Sequence, residues 1–160
     1  MITAGFCVML AAYTDNSVQA ACTFYVDILR SYIMTFAYFS ILLLVFLNLF
    51  CAAYAKKRAG FRGKDNHNPR EFLAQASGKA ARANAAQQNG YEIFAPYAAA
   101  VIIAHATGGA SQGVINFWAA VFILSRAAFV WCYVQDKATL RSLVWGVGFL
   151  SIIGLFVAAF

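Results

Sequence analysis

The stretch RANAAQQNGYEIFAP, from Arg82 to Pro96, puts charged and amide side chains at the start of an apolar run long enough to cross a membrane. A charged side chain in a membrane helix costs roughly 2.5–3.5 kcal/mol on insertion scales, so it persists mainly where it faces a protein interior or a wet cavity. At 100° per residue, Arg82, Asn89 and Glu92 lie within about 80° of one another. The stretch therefore predicts one helix face that carries a cation, an amide and an anion.

The composition is that of an integral membrane protein. Apolar residues make up 62% of the 160 residues and charged residues 11%, against about 45–50% and 25% in soluble domains. A membrane-crossing helix needs about 20 residues, and four such runs occupy approximately residues 32–55, 84–106, 114–135 and 140–160. We therefore predict an all-α bundle of four transmembrane helices, with no soluble domain after the last helix.

The net charge of +6 does not indicate nucleic-acid binding, because the basic residues are grouped in one loop. Eight of the twelve Lys and Arg residues lie between Lys56 and Arg82, whereas residues 107–113 contain none. The positive-inside rule makes the loop from Lys56 cytoplasmic, together with the connection at residues 136–141. Both termini are then predicted on the non-cytoplasmic side, and the polar face in the cytoplasmic leaflet. The basic loop also suits contact with anionic lipid.

Residues 1–31 form a separate N-terminal extension in this interpretation, and residues 32–160 form the membrane domain. Neither apolar half of the extension is long enough to span. It is either an outer-face segment or the product of a misassigned start, because Met34 directly precedes the first long apolar run. A disulfide between Cys7 and Cys22 is chemically allowed on the outer side. The four cysteines show no metal-ligand spacing, so no metal is expected.

The second spanning helix is predicted to begin at Pro69 and to run to residue 106. Asn68 is in position to cap it, Pro69 suits the first helical position, and Glu71 sits where a capping box would place it. Such a helix is longer than the membrane is thick, so its first turns would project into the cytoplasm. Pro96 removes one backbone hydrogen bond and is expected to kink it. Its many alanines predict a central packing helix.

Further polar residues in the last two runs extend the predicted site. Arg126 and Tyr133 are seven residues apart and share a face of the third run, while Arg141 and Ser142 open the fourth. With Arg82, Asn89 and Glu92 they describe a pocket for an anionic polar molecule, because the arginine fork binds carboxylates bidentately. The alternative is structural: Glu92 forms an ion pair with Arg82 or Arg126 and ties the helices together.

These motifs resemble those of the membrane-associated proteins in eicosanoid and glutathione metabolism, the MAPEG family. The string Arg82…Asn89-x-x-Glu92-x-x-x-Pro96 is similar to the family's second-helix signature. Asp65-Asn-His-Asn-Pro-Arg70 is similar to a stretch common in bacterial members. Arg126 with Tyr133 resembles the third-helix pair, and Arg141-Ser142 the start of the fourth helix in the prostaglandin E synthase branch. The resemblance covers residues 32–160.

The resemblance implies a four-helix protomer in a homotrimer of the bacterial inner membrane, with glutathione bound between subunits as co-substrate. Arg141 and Ser142 would then stabilise the glutathione thiolate. The tripeptide's charged ends would be held by Arg82, Asn89, Glu92, Arg126 and Tyr133. The implied activity is that of a glutathione transferase or peroxidase acting on lipophilic electrophiles or hydroperoxides from the bilayer.

Three positions depart from the family's usual polar pattern: Ala85, Ile93 and Phe129. These departures keep a second function open, that of a non-catalytic subunit with the family fold in a larger membrane complex. The N-terminal extension favours this alternative, since an added ordered segment needs a surface to lie on. Transport is a third reading, but the chain lacks the repeats and broken helices of transporters.

Overall fold

A computed structural model describes residues 35–160, and regular structure in this part of the chain is entirely helical. The longer helices are α1 Phe36–Ala59, α2 Pro69–Ala74, α3 Gly78–Thr107, α4 Gln112–Val134 and α5 Ala138–Ala158. A 3₁₀ helix, Gly63–His67, precedes α2. The predictions for the N-terminal extension, for a start at Met34 and for a Cys7–Cys22 disulfide fall outside the described residues.

Three helices, α1, α4 and α5, are long and apolar enough to cross a membrane. Of the predicted spans, the third and fourth lie within two residues of α4 and α5. Helix α1 continues through the basic residues 56–58 to Gly60, whose φ of 73° ends it. Helix α3 has 30 residues. Its mean hydropathy is too low for a membrane-crossing helix by this criterion, because it carries Lys79, Arg82, Glu92 and several amides. Whether α3 also crosses the membrane stays a prediction.

The structure corrects the prediction of one continuous helix from Pro69 to residue 106. The chain leaves the helical path between α2 and α3, where Ser77 is extended with φ −125° and ψ 170°. Gly78 then adopts φ +57°, in the left-handed region that favours glycine. Residues 69–74 are therefore a separate short helix. The sequence signal for this break was Gly78 itself, which also has low helix propensity.

The predicted cap of α2 is also only partly correct. Pro69 occupies the first turn as expected, but the Asn68 side chain does not cap the backbone. Instead its amide donates to the Glu71 carboxylate at 2.5 Å, on the exposed surface. The two residues satisfy each other, so the capping box does not form.

Helices α3 and α4 are central, and each of them packs against α1 and α5 as well as the other, whereas no Cα atom of α1 lies within 8 Å of one in α5. The core lies at their crossing. The ring of Tyr97, fully buried, stacks on Phe122 with centroids 3.6 Å apart, and the Tyr97 hydroxyl hydrogen-bonds Ser40 of α1. Helix α3 runs through Pro96 without ending. The prediction of a central second helix therefore holds, with α4 as an equal partner.

Glycines allow α5 to approach α4 closely. A Cβ atom at Gly154 would lie 2.5 Å from a ring carbon of Trp118, whereas one at Gly146, in the same helix, would meet nothing within 4 Å. The face of α5 that packs against α4 therefore has glycine at a position where any side chain would clash with Trp118. This close approach holds the last turns of α5 beside the first turns of α4.

Gly154→Ala is expected to destabilise the bundle, whereas Gly146→Ala serves as the matched control. Both substitutions gain about 1 kcal/mol of helix propensity, but only the first forces the indole of Trp118 aside, at a cost of about 1–3 kcal/mol for overpacking. Thermal unfolding in one detergent should give a lower transition temperature for Gly154→Ala than for the control. Equal transition temperatures would show that α5 is not pressed against Trp118.

Candidate functional site

A cavity of about 380 Å³ opens between α3, α4 and α5. Five of the seven predicted site residues line it: Asn89, Glu92, Tyr133, Arg141 and Ser142. They come from three helices, so the side chains converge although Asn89 and Ser142 are 53 residues apart in sequence. The volume lies within the range of small-molecule sites. The cavity walls carry one cation and one anion.

Arg126 stands behind this cavity and is only 2% exposed. Its Nη2 donates to the Asn89 side-chain oxygen at 3.0 Å, and the Asn89 amide donates to a Glu92 carboxylate oxygen at 3.0 Å. The Asn89 side chain therefore bridges the buried Arg126 guanidinium and the exposed Glu92 carboxylate through two hydrogen bonds. The ion pair of Glu92 with Arg82 or Arg126, which the structural alternative requires, is not formed among residues 35–160, where the one ion pair is between Arg82 and Asp136.

The buried guanidinium of Arg126 has few compensating contacts. Its Nε is buried and has no hydrogen-bond partner within the described residues, and no carboxylate of that part of the chain lies within ion-pair distance. The ring of Phe129 lies 4.2 Å from the guanidinium carbon and supplies a cation–π contact. A buried cation with so little compensation favours an anion nearby.

Arg141 is held in the same manner on the opposite wall. Its guanidinium carbon lies 4.4 Å from the Tyr133 ring centroid, and Tyr133 in turn meets Phe129 edge-on at 5.4 Å. The Phe129 and Tyr133 rings thus stand side by side between the Arg126 and Arg141 guanidinium groups. The rings fix the direction of each cation without neutralising it, so the charge of Arg141 is available to a bound anion.

Ser142 also lines the cavity, one residue after Arg141. Its hydroxyl donates to the Ala138 carbonyl at 3.3 Å, within its own helix. That bond is long and exposed, so exchanging it for a bond to a ligand costs little. The hydroxyl is therefore a usable donor beside the Arg141 guanidinium.

Arg82 lies outside the cavity. Seven residues separate it from Asn89, which is about 10 Å along a helix. Its Nε donates to the Val134 carbonyl at 3.2 Å, and its Nη1 lies 3.6 Å from an Asp136 carboxylate oxygen. Arg82 therefore ties α3 to the end of α4, where the last carbonyls lack helical partners. Its predicted part in ligand binding stays a prediction.

Besides Ala85 and Phe129, two lining residues, Gln88 and Trp145, were absent from the predicted site. Each lies four residues from a predicted one, Gln88 from Glu92 and Trp145 from Arg141, so helical spacing was a sufficient signal. Trp145 stacks on Phe149 with planes 4° apart and centroids 5.5 Å apart. These rings form an apolar shelf from the cavity towards the exposed side of α5.

The positions that depart from the family pattern have distinct locations. Ala85 and Phe129 line the cavity, whereas Ile93 is buried in the core beside Tyr97. Ala85 leaves space in the cavity that a longer side chain would fill. The Phe129 ring packs against the Arg126 guanidinium. Within residues 35–160, no group of three or more His, Cys, Asp or Glu could hold a metal ion.

Comparison with known proteins agrees with the motifs. The family model described as the MAPEG family matches residues 33–160, more than half of the chain, including every residue of the cavity. Searches of curated proteins and of solved structures gave no significant match. The resemblance drawn from the sequence is thereby confirmed: the chain belongs to the MAPEG family and, with three membrane-capable helices among residues 35–160, is an integral membrane protein.

Proposed function

We propose that the protein is a membrane glutathione transferase or peroxidase that acts on lipophilic electrophiles or hydroperoxides. The observation that carries the proposal is the cavity, which joins the Arg141 cation to the Glu92 carboxylate in front of the buried Arg126. Family membership supports a role related to glutathione or eicosanoid metabolism in general. Glutathione, the homotrimer and the bacterial inner membrane are parts of the proposal.

The chemistry of glutathione fits the side chains available. Its ammonium group suits Glu92, and its carboxylates suit Tyr133 and the donors around Asn89, whose orientation Arg126 fixes. Arg82 would join them only after leaving Val134 and Asp136. Arg141 and Ser142 are assigned to the thiol. A cation beside a thiol lowers its pKa from about 8.5 and raises the thiolate fraction at neutral pH.

The proposed reaction begins with attack by this thiolate. With an electrophile, a carbon–sulfur bond forms while the leaving group departs with the bonding electron pair. With a lipid hydroperoxide, the thiolate attacks the terminal oxygen, and the alkoxide that leaves takes up a proton. A second glutathione then displaces hydroxide from the resulting sulfenic acid and gives the disulfide. The apolar shelf of Trp145 and Phe149 suits a substrate that arrives from the bilayer.

The proposed trimer places the site in the cytoplasmic leaflet between neighbouring subunits. Glu92 is exposed in the single protomer, as are Ala95 and Pro96 one turn further along α3. Small exposed side chains suit close packing of membrane helices. In this arrangement both termini face away from the cytoplasm.

Glutathione binding is tested by thermal unfolding of the detergent-purified protein with and without millimolar glutathione. A ligand that binds only the folded state stabilises it, by about 2.7 kcal/mol at a hundred times its Kd. We expect a higher transition temperature with glutathione, which Glu92→Gln abolishes and Glu71→Gln preserves. Glu71 is an equally exposed carboxylate on α2, outside the cavity, so it controls for the loss of charge.

A second candidate function is that of a non-catalytic subunit of a larger membrane complex. Two polar ties link the helices in the protomer itself: Arg82 with Val134 and Asp136, and Arg126 with Asn89. If glutathione leaves the transition temperature unchanged while trimers remain intact, the transferase proposal fails. This second function then becomes the better explanation of the polar residues.

A further inference from the structure

We propose that an anionic phospholipid binds in a groove between α1 and α4, on a different face from the glutathione cavity. The groove has a volume of about 260 Å³. It is lined by seven residues of these two helices: Leu47, Phe50, Tyr54, Ala127, Val130, Trp131 and Val134. Phe50 and Trp131 are each more than half exposed. None of these residues belongs to the proposed glutathione site, so the inference does not depend on that function.

The groove is apolar along its length and polar at one end. The Tyr54 hydroxyl lies at this end and accepts a hydrogen bond from Arg58 Nε at 3.1 Å. The Arg58 guanidinium also lies 5.4 Å from the Tyr54 ring centroid. An acyl chain is the occupant that suits the walls, because each buried methylene contributes about 0.8 kcal/mol.

Arg58 is suited to bind the phosphate of the same lipid. Guanidinium groups have five N–H donors in a fixed fork that matches a phosphate, and here one donor is used. Within residues 35–160, Arg58 makes no other side-chain hydrogen bond and no ion pair. Helix α1 is 24 residues long, about 36 Å, so its last turn extends past a hydrocarbon core of about 30 Å. Arg58 therefore lies at the level of lipid headgroups.

Charge favours an anionic lipid over a second copy of the chain as the occupant. The last turn of α1 carries Lys56, Lys57 and Arg58 without an acidic residue, and the groove has no acidic lining residue. The whole chain has six acidic residues against twelve basic ones, so a copy offers few carboxylates to this end of the groove. A cation near the membrane surface contributes about 1 kcal/mol towards anionic lipid.

The experiment is native mass spectrometry of the full chain after mild detergent release from bilayers. The bilayers contain equal amounts of phosphatidylglycerol and phosphatidylcholine with identical acyl chains. We expect phosphatidylglycerol to be retained in several-fold excess. Arg58→Gln should remove that preference, while Arg62→Gln, which neutralises an exposed arginine outside the groove, should keep it.

A second pair of variants tests the groove itself. Ala127→Trp places an indole in the groove and should abolish retention of both lipids, whereas Leu124→Trp changes a 70% exposed residue of α4 outside the groove and should not. All four positions are exposed, so the fold should survive. Unchanged lipid retention in both Arg58→Gln and Ala127→Trp would overturn the proposal. So would loss of oligomers in Ala127→Trp at unchanged lipid retention, because a second copy would then occupy the groove.

Thermal unfolding with glutathione distinguishes failure of the lipid proposal from failure of the proposed glutathione function. Arg58→Gln and Ala127→Trp should respond to glutathione in thermal unfolding as the unaltered protein does, because neither residue lines the cavity. Glu92→Gln should keep the lipid preference. Failure of one proposal is therefore visible without failure of the other.

Discussion

Arg141→Ala is expected to lower the rate of glutathione conjugation about tenfold to thirtyfold at pH 7. The guanidinium is held over the Tyr133 ring and points its charge into the cavity. A thiol with its ordinary pKa of about 8.5 is only about 3% thiolate at pH 7. A cation that lowers this pKa below 7 therefore raises the reactive fraction by at most about thirtyfold. Its removal should cost the same factor.

The pH profile identifies the cause of this loss. In Arg141→Ala the thiol pKa returns to about 8.5, so the missing activity should return as the pH rises through that value. Above about pH 9 the variant and the unaltered protein should react at similar rates. A loss that persists at high pH would mean that Arg141 acts on the transition state or on substrate position rather than on the thiol.

Lys137→Ala is the matched control for Arg141→Ala. Lys137 is an exposed cation one helical turn earlier, at the N-cap of α5, and it does not line the cavity. Its removal lowers the local positive charge by the same amount. If Lys137→Ala lowers the rate at pH 7 as much as Arg141→Ala does, the summed positive charge at this end of the bundle lowers the thiol pKa. The role assigned to Arg141 is then wrong.

Arg126→Met is expected to leave the transition temperature within a few degrees of the unaltered value and to weaken glutathione binding by about tenfold to a hundredfold. Arg126 has no counter-ion within residues 35–160, so an apolar side chain of similar length removes the desolvation cost of a buried charge and offsets the lost bond to Asn89. The expected loss of binding follows because Asn89 no longer has a donor to fix its side chain. Calorimetry of glutathione binding and thermal unfolding without ligand measure the two effects separately.

Phe129→Leu controls for packing at the same place. It removes the ring beneath the guanidinium but keeps the cation and its bond to Asn89. It should bind glutathione more tightly than Arg126→Met does. If Arg126→Met unfolds at a much lower temperature and binds glutathione normally, Arg126 is a tie between α3 and α4, as the structural alternative holds.

Helical spacing predicted most of the cavity because its residues repeat on single faces. Asn89 with Glu92, and Arg141 with Ser142, are close in sequence, so one helix sets each pair. Spacing within a helix carries no information about which helices meet, so the two pairs were placed in one pocket by topology, because the positive-inside rule puts both in the cytoplasmic leaflet. The same spacing would have added Gln88 and Trp145, each one turn from a predicted residue.

Side-chain reach explains why Arg82 does not line the cavity. Arg82 lies on the predicted face of α3, but its long side chain extends to Val134 and Asp136 rather than to the cavity. Periodicity locates a Cα atom and not a guanidinium several ångströms away. The break before α3 was missed for a different reason: a glycine inside a helical pattern is tolerated more often than it adopts a positive φ.

The close fit of α4 against α5 has a consequence for how the protein assembles. The two helices are joined by only three residues, 135–137, in which Asp136 adopts φ +62°, and they meet through glycines along α5. Contacts between neighbours in sequence form early because little loop entropy is lost. We therefore expect these helices to enter the membrane as a hairpin that already carries Tyr133, Arg141 and Ser142. Docking of this hairpin on α3 would then bring the cationic wall to Glu92 in a single late step.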